Sequence, residues 1–442
     1  MFVDDEAVKR LLGQGYLSWL NAIVSVLGAR VLGSGAAFLG NILVARHLEP
    51  AGYGQFYLLF TIMTVVAGLT GPGLDTSLVR FASKHLHTDR EASFAYFTVM
   101  FYMKCVVFVT TMLLGVIAAK PLLRLLFSSD EVTSVTVAAV TLAFFGGAAV
   151  SMWGFAQSYF QSRQQFGRYA GFEFFSSTLR LGLVVLLILL DVRRIWAYLA
   201  VYVAAPTAMW GVSWLLLPRR VFTADATMAV TRELLAFAKW VLLATFFTTL
   251  TQRLDLLLLG MFRLPQETLG CYGAAVSLVL LGELVLLTFY NVLLPKASAL
   301  KNASDLRRFI GSFRVPSLFF CLGMSLLMPF AETLRHLFFG EKYVGTELYF
   351  LILLTGIIVS LGCAPAVTSL YSLGRSHLIA AFEGGRFVCT LALGLYIVPR
   401  YGAVGMAWVV TGTRAVMSAL MYLVAHQEVK RLTVAEYMGG DG

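Results

Sequence analysis

Charge is what this sequence has least of. Only 13% of its 442 residues are Asp, Glu, Lys or Arg, about half the roughly 25% typical of a soluble domain. Cysteine and histidine are sparse and scattered. The five cysteines, Cys105, Cys271, Cys321, Cys363 and Cys389, form no C-x-x-C pattern and read as small core residues. The six histidines make no H-E-x-x-H and no Cys/His cluster, so no metal site is legible. No Gly-Lys dipeptide occurs, which excludes a P-loop and hence ATP hydrolysis by the chain itself. There is no soluble basic face of the kind that nucleic-acid binding needs.

What is present is apolar. Hydrophobic residues make up 59% of the chain, and the mean hydropathy is +0.79. The class that follows is an all-α polytopic membrane protein. Runs of about 20 apolar residues, the length of one bilayer crossing, recur about twelve times. The first is 20–45, the fifth 171–190, the seventh 238–261, the eighth 271–294, the eleventh 379–398 and the twelfth 403–425. The segment "PRRVFTADATMAVTRELLAFAK" divides the chain near its middle. The expected organisation is an N-terminal segment 1–19, a six-helix bundle 20–217, a cytoplasmic connector 218–237, a second six-helix bundle 238–425 and a tail 426–442. The opening "MFVDDEAVKRLLGQGY" lacks the pattern of a signal peptide. Val8, Leu11 and Leu12 within it suit either a short amphipathic turn on the membrane surface or a frayed tail.

Loop charge predicts orientation. With the N-terminus inside, Lys and Arg favour the cytoplasmic loops by about two to one, which places both termini in the cytoplasm. The net charge of +10 is mostly this topology signal.

The two halves echo one another. "EPAGYGQFYLLFTI" near the second span is matched by "ETLGCYGAAVSLVL" near the eighth. "FGRYAGFEFFSSTLR" entering the fifth is matched by "LGRSHLIAAFEGGRF" entering the eleventh, with Phe172-Glu173 opposite Phe382-Glu383. An even number of spans per unit makes this a parallel repeat. Such a duplication suggests two bundles facing a central cavity, rocking to give alternating access.

Charges inside the spans are then the candidates for function. The stretch "TQRLDLLLLGMF" puts Arg253 and Asp255 in an apolar run, where each carries a penalty of roughly +2.5 to +3.5 kcal/mol on insertion scales. Arg30, Lys104, Arg180, Arg253, Arg386 and Arg414 are balanced by Asp75, Glu173, Asp255, Glu283 and Glu383. Arg30, Ser34, Ala37 and Asn41 share one helical face, as do Thr245, Thr248, Gln252 and Asp255. Arg253 lies off the second stripe, so Arg253 and Asp255 each need a partner on another helix. Glu173, Ser177 and Arg180 share a face, and so do Glu383, Arg386 and Thr390. One reading is a cationic cavity for a phosphate headgroup, since the guanidinium fork suits phosphate. The other is a set of buried ion pairs fixing helix register. Glu173 and Glu383 sit near the surface and suit interfacial or helix N-terminal roles. Glu283 has no basic neighbour in sequence and is a candidate for ion coupling, or for a protonated carboxyl bonded to a neighbouring helix. Asp75 follows the Gly71-Pro72-Gly73 break and is expected to cap a helix.

The ordered motifs "LGNILVARHLEPAGYGQFYLLFTI", "GPGLDTSLVRFAS", "QRLDLLLLGMF", "CYGAA", "LLPKASAL", "SLGRS" and "YGAVGMAW" resemble the polysaccharide-biosynthesis branch of the multidrug/oligosaccharidyl-lipid/polysaccharide (MOP) exporter superfamily. This branch includes the O-antigen and exopolysaccharide repeat-unit flippases, and the resemblance runs over about 20–425. It implies two six-helix bundles in a V. It implies transfer of an undecaprenyl-pyrophosphate-linked oligosaccharide from the inner to the outer leaflet of the cytoplasmic membrane. Arg30, Asn41, Arg180, Arg253 and Arg386 are the positions matched to the family's cationic cavity, with Asp75, Asp255 and Glu283 as charge partners or coupling groups. No cofactor is implied beyond coupling to H+ or Na+. The partners implied are the lipid-linked oligosaccharide and membrane lipids, with a polysaccharide polymerase or glycosyltransferase as further candidates. Alternatives are a drug exporter or a lipid II flippase of the same superfamily. The drug-exporting branch usually carries an acid in the first span, where this chain has Arg30 and Asn41. The lipid II flippases usually carry two further C-terminal spans. An enzyme acting on lipid-linked glycans is disfavoured because no outer loop carries an acid–base cluster.

Overall fold

A computed structural model describes residues 5–85, 89–127, 136–225, 227–298, 300, 303–373 and 375–439. Side chains are described within 32–431 of these ranges, apart from residue 90 and several between 291 and 303 and between 371 and 376. The described residues contain helices and no strand. In chain order the helices are α1 (Asp5–Thr70), α2 (Pro72–Lys84), α3 (Arg90–Leu126), α4 (Val137–Ser162), α5 (Phe166–Leu189), α6 (Ile195–Leu216) and the single turn α7 (Arg220–Thr223). There follow α8 (Met228–Met261), α9 (Gln266–Ser298), α10 (Ala303–Ser312), α11 (Arg314–Ser325), α12 (Ala331–Phe338), α13 (Thr346–Ser372) and α14 (Ser376–Gly439). An all-helical chain is what lipid demands, because each backbone N–H and C=O must be satisfied within its own segment.

Ten helical segments among the described residues are long and apolar enough to cross a membrane. Two of them, of 53 and 55 residues, are each twice the length of one crossing and are broken inside. In α1 the break is Glu49, at φ 60° and ψ 171°, immediately before Pro50. Proline forces its predecessor out of the helical region and suits the first position of the next helix. In α14 the break is Gly402, at φ 58° and ψ −144°, a backbone region open to glycine. Beyond it the chain folds back: the Thr390 and Thr413 hydroxyls bond at 2.9 Å, and a Cβ on Gly385 would lie 3.6 Å from Met417.

The helices form two compact units. The first comprises Met1–Val44, Ile62–Leu122 and Val135–Thr245. In it α4 packs on α2, α5 and α6. Its largest core patch joins Phe94, Phe97 and Met100 of α3 to Trp153, Phe155 and Phe160 of α4 and to Leu234 and Ala238 of α8.

The second unit comprises Ala45–Thr61, Leu123–Ser134 and Phe246–Gly442. In it α13 packs between α9 and α14. The stretch 45–61 comes from the first half of the chain, yet its contacts lie in the second unit. Arg46 donates to the carbonyls of Phe338, at 2.8 Å, and Leu337. Lys342 pairs with Glu49 at 2.5 Å, and the Tyr343 hydroxyl donates to the Ala45 carbonyl at 2.6 Å. Burial pushes the Tyr343 phenol well above its ordinary range, so it remains a donor. Gly54 and Gly270 let α1 and α9 touch backbone to backbone: a Cβ on either would overlap carbonyl oxygens of the other helix, Gln266 O and Pro50 O. Small residues at such crossings are how membrane helices gain close packing.

Candidate transport site

In the first unit, α5 and α6 run as neighbours and bring Arg180 over the Tyr202 ring, with 5.0 Å from guanidinium carbon to centroid. The Tyr202 hydroxyl is itself fixed by donating to Asn41 Oδ1 on α1. The arginine is therefore positioned by cation–π attraction to an anchored tyrosine, and no carboxylate among the described residues pairs with it. Its Nε is buried and unbonded, so the cation retains donors for a ligand.

The same unit holds a buried ion pair. Lys104 Nζ lies 2.6 Å from Asp75 Oδ1 and 2.5 Å from the Ser151 carbonyl, and Lys104 is only 1% exposed. Asp75 sits in the first turn of α2, but no side-chain bond caps that helix. The expected cap is thus corrected to a charge partner of Lys104. The reason is distance in sequence: Lys104 is on α3, and only packing reveals it. Asp75 also borders a polar cavity of about 340 Å3 with Gln157, Ser158, Gln161 and Tyr169. Gln157 donates to Glu173 Oε1 at 2.6 Å, so Glu173 is tied into the protein.

In the second unit, Arg253 lies within electrostatic and hydrogen-bonding reach of the Tyr57 phenol, and near Asp255. Asp255 accepts from the Tyr272 hydroxyl at 3.0 Å and from the Leu256 amide at 2.8 Å. Partners on other helices were required, and Tyr57 and Tyr272 supply them. The expectation that Asp255 orients a basic side chain on another helix gives way to a tyrosine.

Glu283 is the clearest departure from its isolated appearance in the sequence. Arg414 clasps it through two parallel bonds, Nη1 to Oε1 at 2.5 Å and Nη2 to Oε2 at 2.9 Å, the bidentate geometry of a strong pair. Arg414 also reaches Ser360 at 3.3 Å. Arg386 pairs with Glu383 at 3.2 Å, three residues apart on one helix face. Asp255, Glu283, Arg386 and Arg414 together border a cavity of about 140 Å3, with Thr390, Thr411 and Thr413 on its wall. Arg30 belongs to α1 but lies outside the residues whose side chains are described. Of the matched cavity arginines with described side chains, Arg180 and Arg253 are held by tyrosines, and Arg386 is compensated by an acid.

The profile of the polysaccharide biosynthesis protein family matches residues 18–301. The chain belongs to that family. No curated protein matches the family member in sequence; its fold, however, recurs in solved structures. An inward-facing multidrug resistance MATE family transporter of the MOP superfamily superposes with a TM-score of 0.73 at 14% identity, over 93% of this chain and 98% of the other. The lipid II flippase MurJ, in an inward closed conformation, also gives 0.73, at 11% identity over 95% and 91%. A MOP superfamily transporter from Pyrococcus furiosus, described as having a binding pocket of reversed polarity, gives 0.64 at 15% identity over 93% and 96%. The polysaccharide biosynthesis protein is thus a multi-pass membrane protein with the MOP transporter fold.

Four residues of this family member's site escaped the sequence reading: Tyr57, Tyr202, Tyr272 and the Arg414 partner of Glu283. Tyrosine in an apolar span carries no charge to flag it. A periodicity test around Arg414 would have placed it one turn from Thr411, on the same face.

Proposed function

We propose that the protein is a flippase that carries an undecaprenyl-pyrophosphate-linked oligosaccharide from the inner to the outer leaflet of the cytoplasmic membrane, by alternating access, during cell-surface polysaccharide biosynthesis. The observation that carries this reading is the pair of intramembrane arginines held by tyrosine rather than by carboxylate, Arg180 on Tyr202 and Arg253 at Tyr57. An arginine neutralised by an acid has little left for a phosphate, whereas these two keep their charge and their donor fork. An anionic headgroup is the ligand that offsets an uncompensated cation inside a membrane. Membership of the polysaccharide biosynthesis family supports a glycan-bearing lipid as the owner of that headgroup.

In this reading both termini are cytoplasmic, and residues 20–217 and 238–425 are the two six-helix halves joined by a cytoplasmic connector at 218–237. A gradient of H+ or Na+ drives the cycle, with Asp75 and Glu283 as the carboxylates whose ion pairs it biases. A glycan polymerase or glycosyltransferase acts next to it. The test is the sidedness of lipid-linked glycans in cells lacking the protein, read with an impermeant sugar-oxidising label. Intermediates trapped on the cytoplasmic leaflet and released by re-expression are expected. Unchanged amount and sidedness would refute the flippase.

A further inference from the structure

The two arms of α14 enclose an apolar cleft of about 630 Å3. On the first arm Cys389, Leu393 and Ile397 follow one another at intervals of four and so share a face. On the second arm Gly405, Gly412 and Val416 share the opposing face. Two glycines shape the cleft in opposite ways. Gly405 draws the arms together, since a Cβ there would meet Ile397 Cγ2 at 2.7 Å. Gly412 opens the seam, since a Cβ there would meet nothing within 4 Å. Trp408 stands between them, 58% exposed. From Tyr401 to Met417 the second arm rises about 24 Å, most of the roughly 30 Å of hydrocarbon in a bilayer. The cleft is therefore long, apolar and aligned with its helices. Water gains nothing in such a space, which lacks polar partners.

What lies beside it identifies the occupant. The Thr390–Thr413 hydroxyl pair closes the seam at 2.9 Å, and Thr413 borders both the apolar cleft and the small cavity containing Arg386 and Arg414. An apolar trough and a guanidinium-bearing cavity thus share one wall. That arrangement suits a single molecule with a long hydrocarbon tail and an anionic head.

We propose that the α14 cleft is the docking site for the polyprenyl tail of the transported lipid-linked glycan, holding the tail in the membrane plane while the head crosses. This rests on the flippase reading above. It adds to that reading a tail site on the last two spans, separate from the arginines that take the phosphates.

The test uses the full-length protein reconstituted in phospholipid nanodiscs, with a diazirine-bearing polyprenyl monophosphate as probe and peptide mapping after illumination. Label is expected within 389–417. It should be displaced by unlabelled polyprenyl monophosphate but not by equimolar phosphatidylglycerol. Gly412→Leu fills the open space without a clash and raises helix propensity, so it should fold and should lower labelling about tenfold, roughly 1.4 kcal/mol of binding. Trp408→Ala, at an exposed rim position, should lower it as well. Equal displacement by phosphatidylglycerol would make the cleft an ordinary lipid contact and overturn the proposal, as would unchanged labelling of both variants. The sidedness assay separates the two claims. If loss of the protein traps glycans inside and Gly412→Leu restores export fully, the tail site falls and the flippase stands. If sidedness never changes but the cleft still selects the polyprenyl probe, the tail site stands and the flippase falls.

Discussion

Replacing Asp75 by Asn removes the carboxylate 2.6 Å from Lys104 and leaves an ammonium that is 1% exposed with only the Ser151 carbonyl as a partner. Removing one member of a buried pair destabilises by about 3–5 kcal/mol, because the remaining charge is uncompensated. Asp75 borders a polar cavity of about 340 Å3, where water can solvate the new amide. The loss should therefore fall near the lower end, about 3 kcal/mol. Against a total stability of roughly 5–15 kcal/mol, that is a large fraction. Replacing both residues, Asp75→Asn with Lys104→Met, removes the stranded charge and should recover most of the loss, since paired apolar replacement of buried ions is often neutral. The assay is the fraction of purified protein that stays monodisperse in detergent after a heating series, for wild type, both single variants and the double. Asp75→Asn should aggregate at distinctly lower temperature, with the double variant close to wild type. A wild-type profile for Asp75→Asn, or a double variant no better than the single, would refute the reasoning. If the stable double variant fails to export glycan, the pair also serves transport.

Further outcomes follow from the same geometry. Gly154→Ala would place a Cβ 2.5 Å from Asp75 Oδ2, and should destabilise by about 1–3 kcal/mol as an overpacked site, measured on the same heating series. Arg253→Ala should abolish glycan export while folded protein remains in the membrane; wild-type export by a well-expressed Arg253→Ala would remove it from the site. Arg180→Lys should not rescue Arg180→Ala, because lysine lacks the planar fork and stacks poorly on Tyr202; export by the two variants decides this. Tyr202→Phe loses the bond to Asn41, which should lower stability by about 0.5–1.5 kcal/mol and weaken export, since Arg180 loses its anchored platform.

Hydropathy and helical spacing reached far into the architecture. The broken crossings at Glu49 and Gly402 fall between the expected first and second and the eleventh and twelfth spans, so twelve apolar runs appear as ten continuous helical segments, two of them double. The shared face of Glu383, Arg386 and Thr390 was legible, and Arg386 does bond Glu383 while lining a cavity with Thr390. Pairings across the chain were not. Glu283 and Arg414 stand 131 residues apart, and each looks isolated within its own span. The stretch 45–61 reads as part of the first half, yet Arg46, Glu49 and Gly54 find their partners at Phe338, Lys342 and Gln266.

By itself the sequence determined that the chain crosses a membrane many times as helices, that it is built from two related halves, and which few positions carry charge into hydrocarbon. Those properties follow from local quantities: the length of an apolar run, its period and its ionisable residues. Tertiary structure alone decided which of those charges are cancelled and which are kept. Lys104, Arg386 and Arg414 each meet an acid, while Arg180 and Arg253 meet tyrosines. A charge in a low-dielectric interior is defined by its neighbours within a few ångströms, and in a helical membrane protein those neighbours come from other helices.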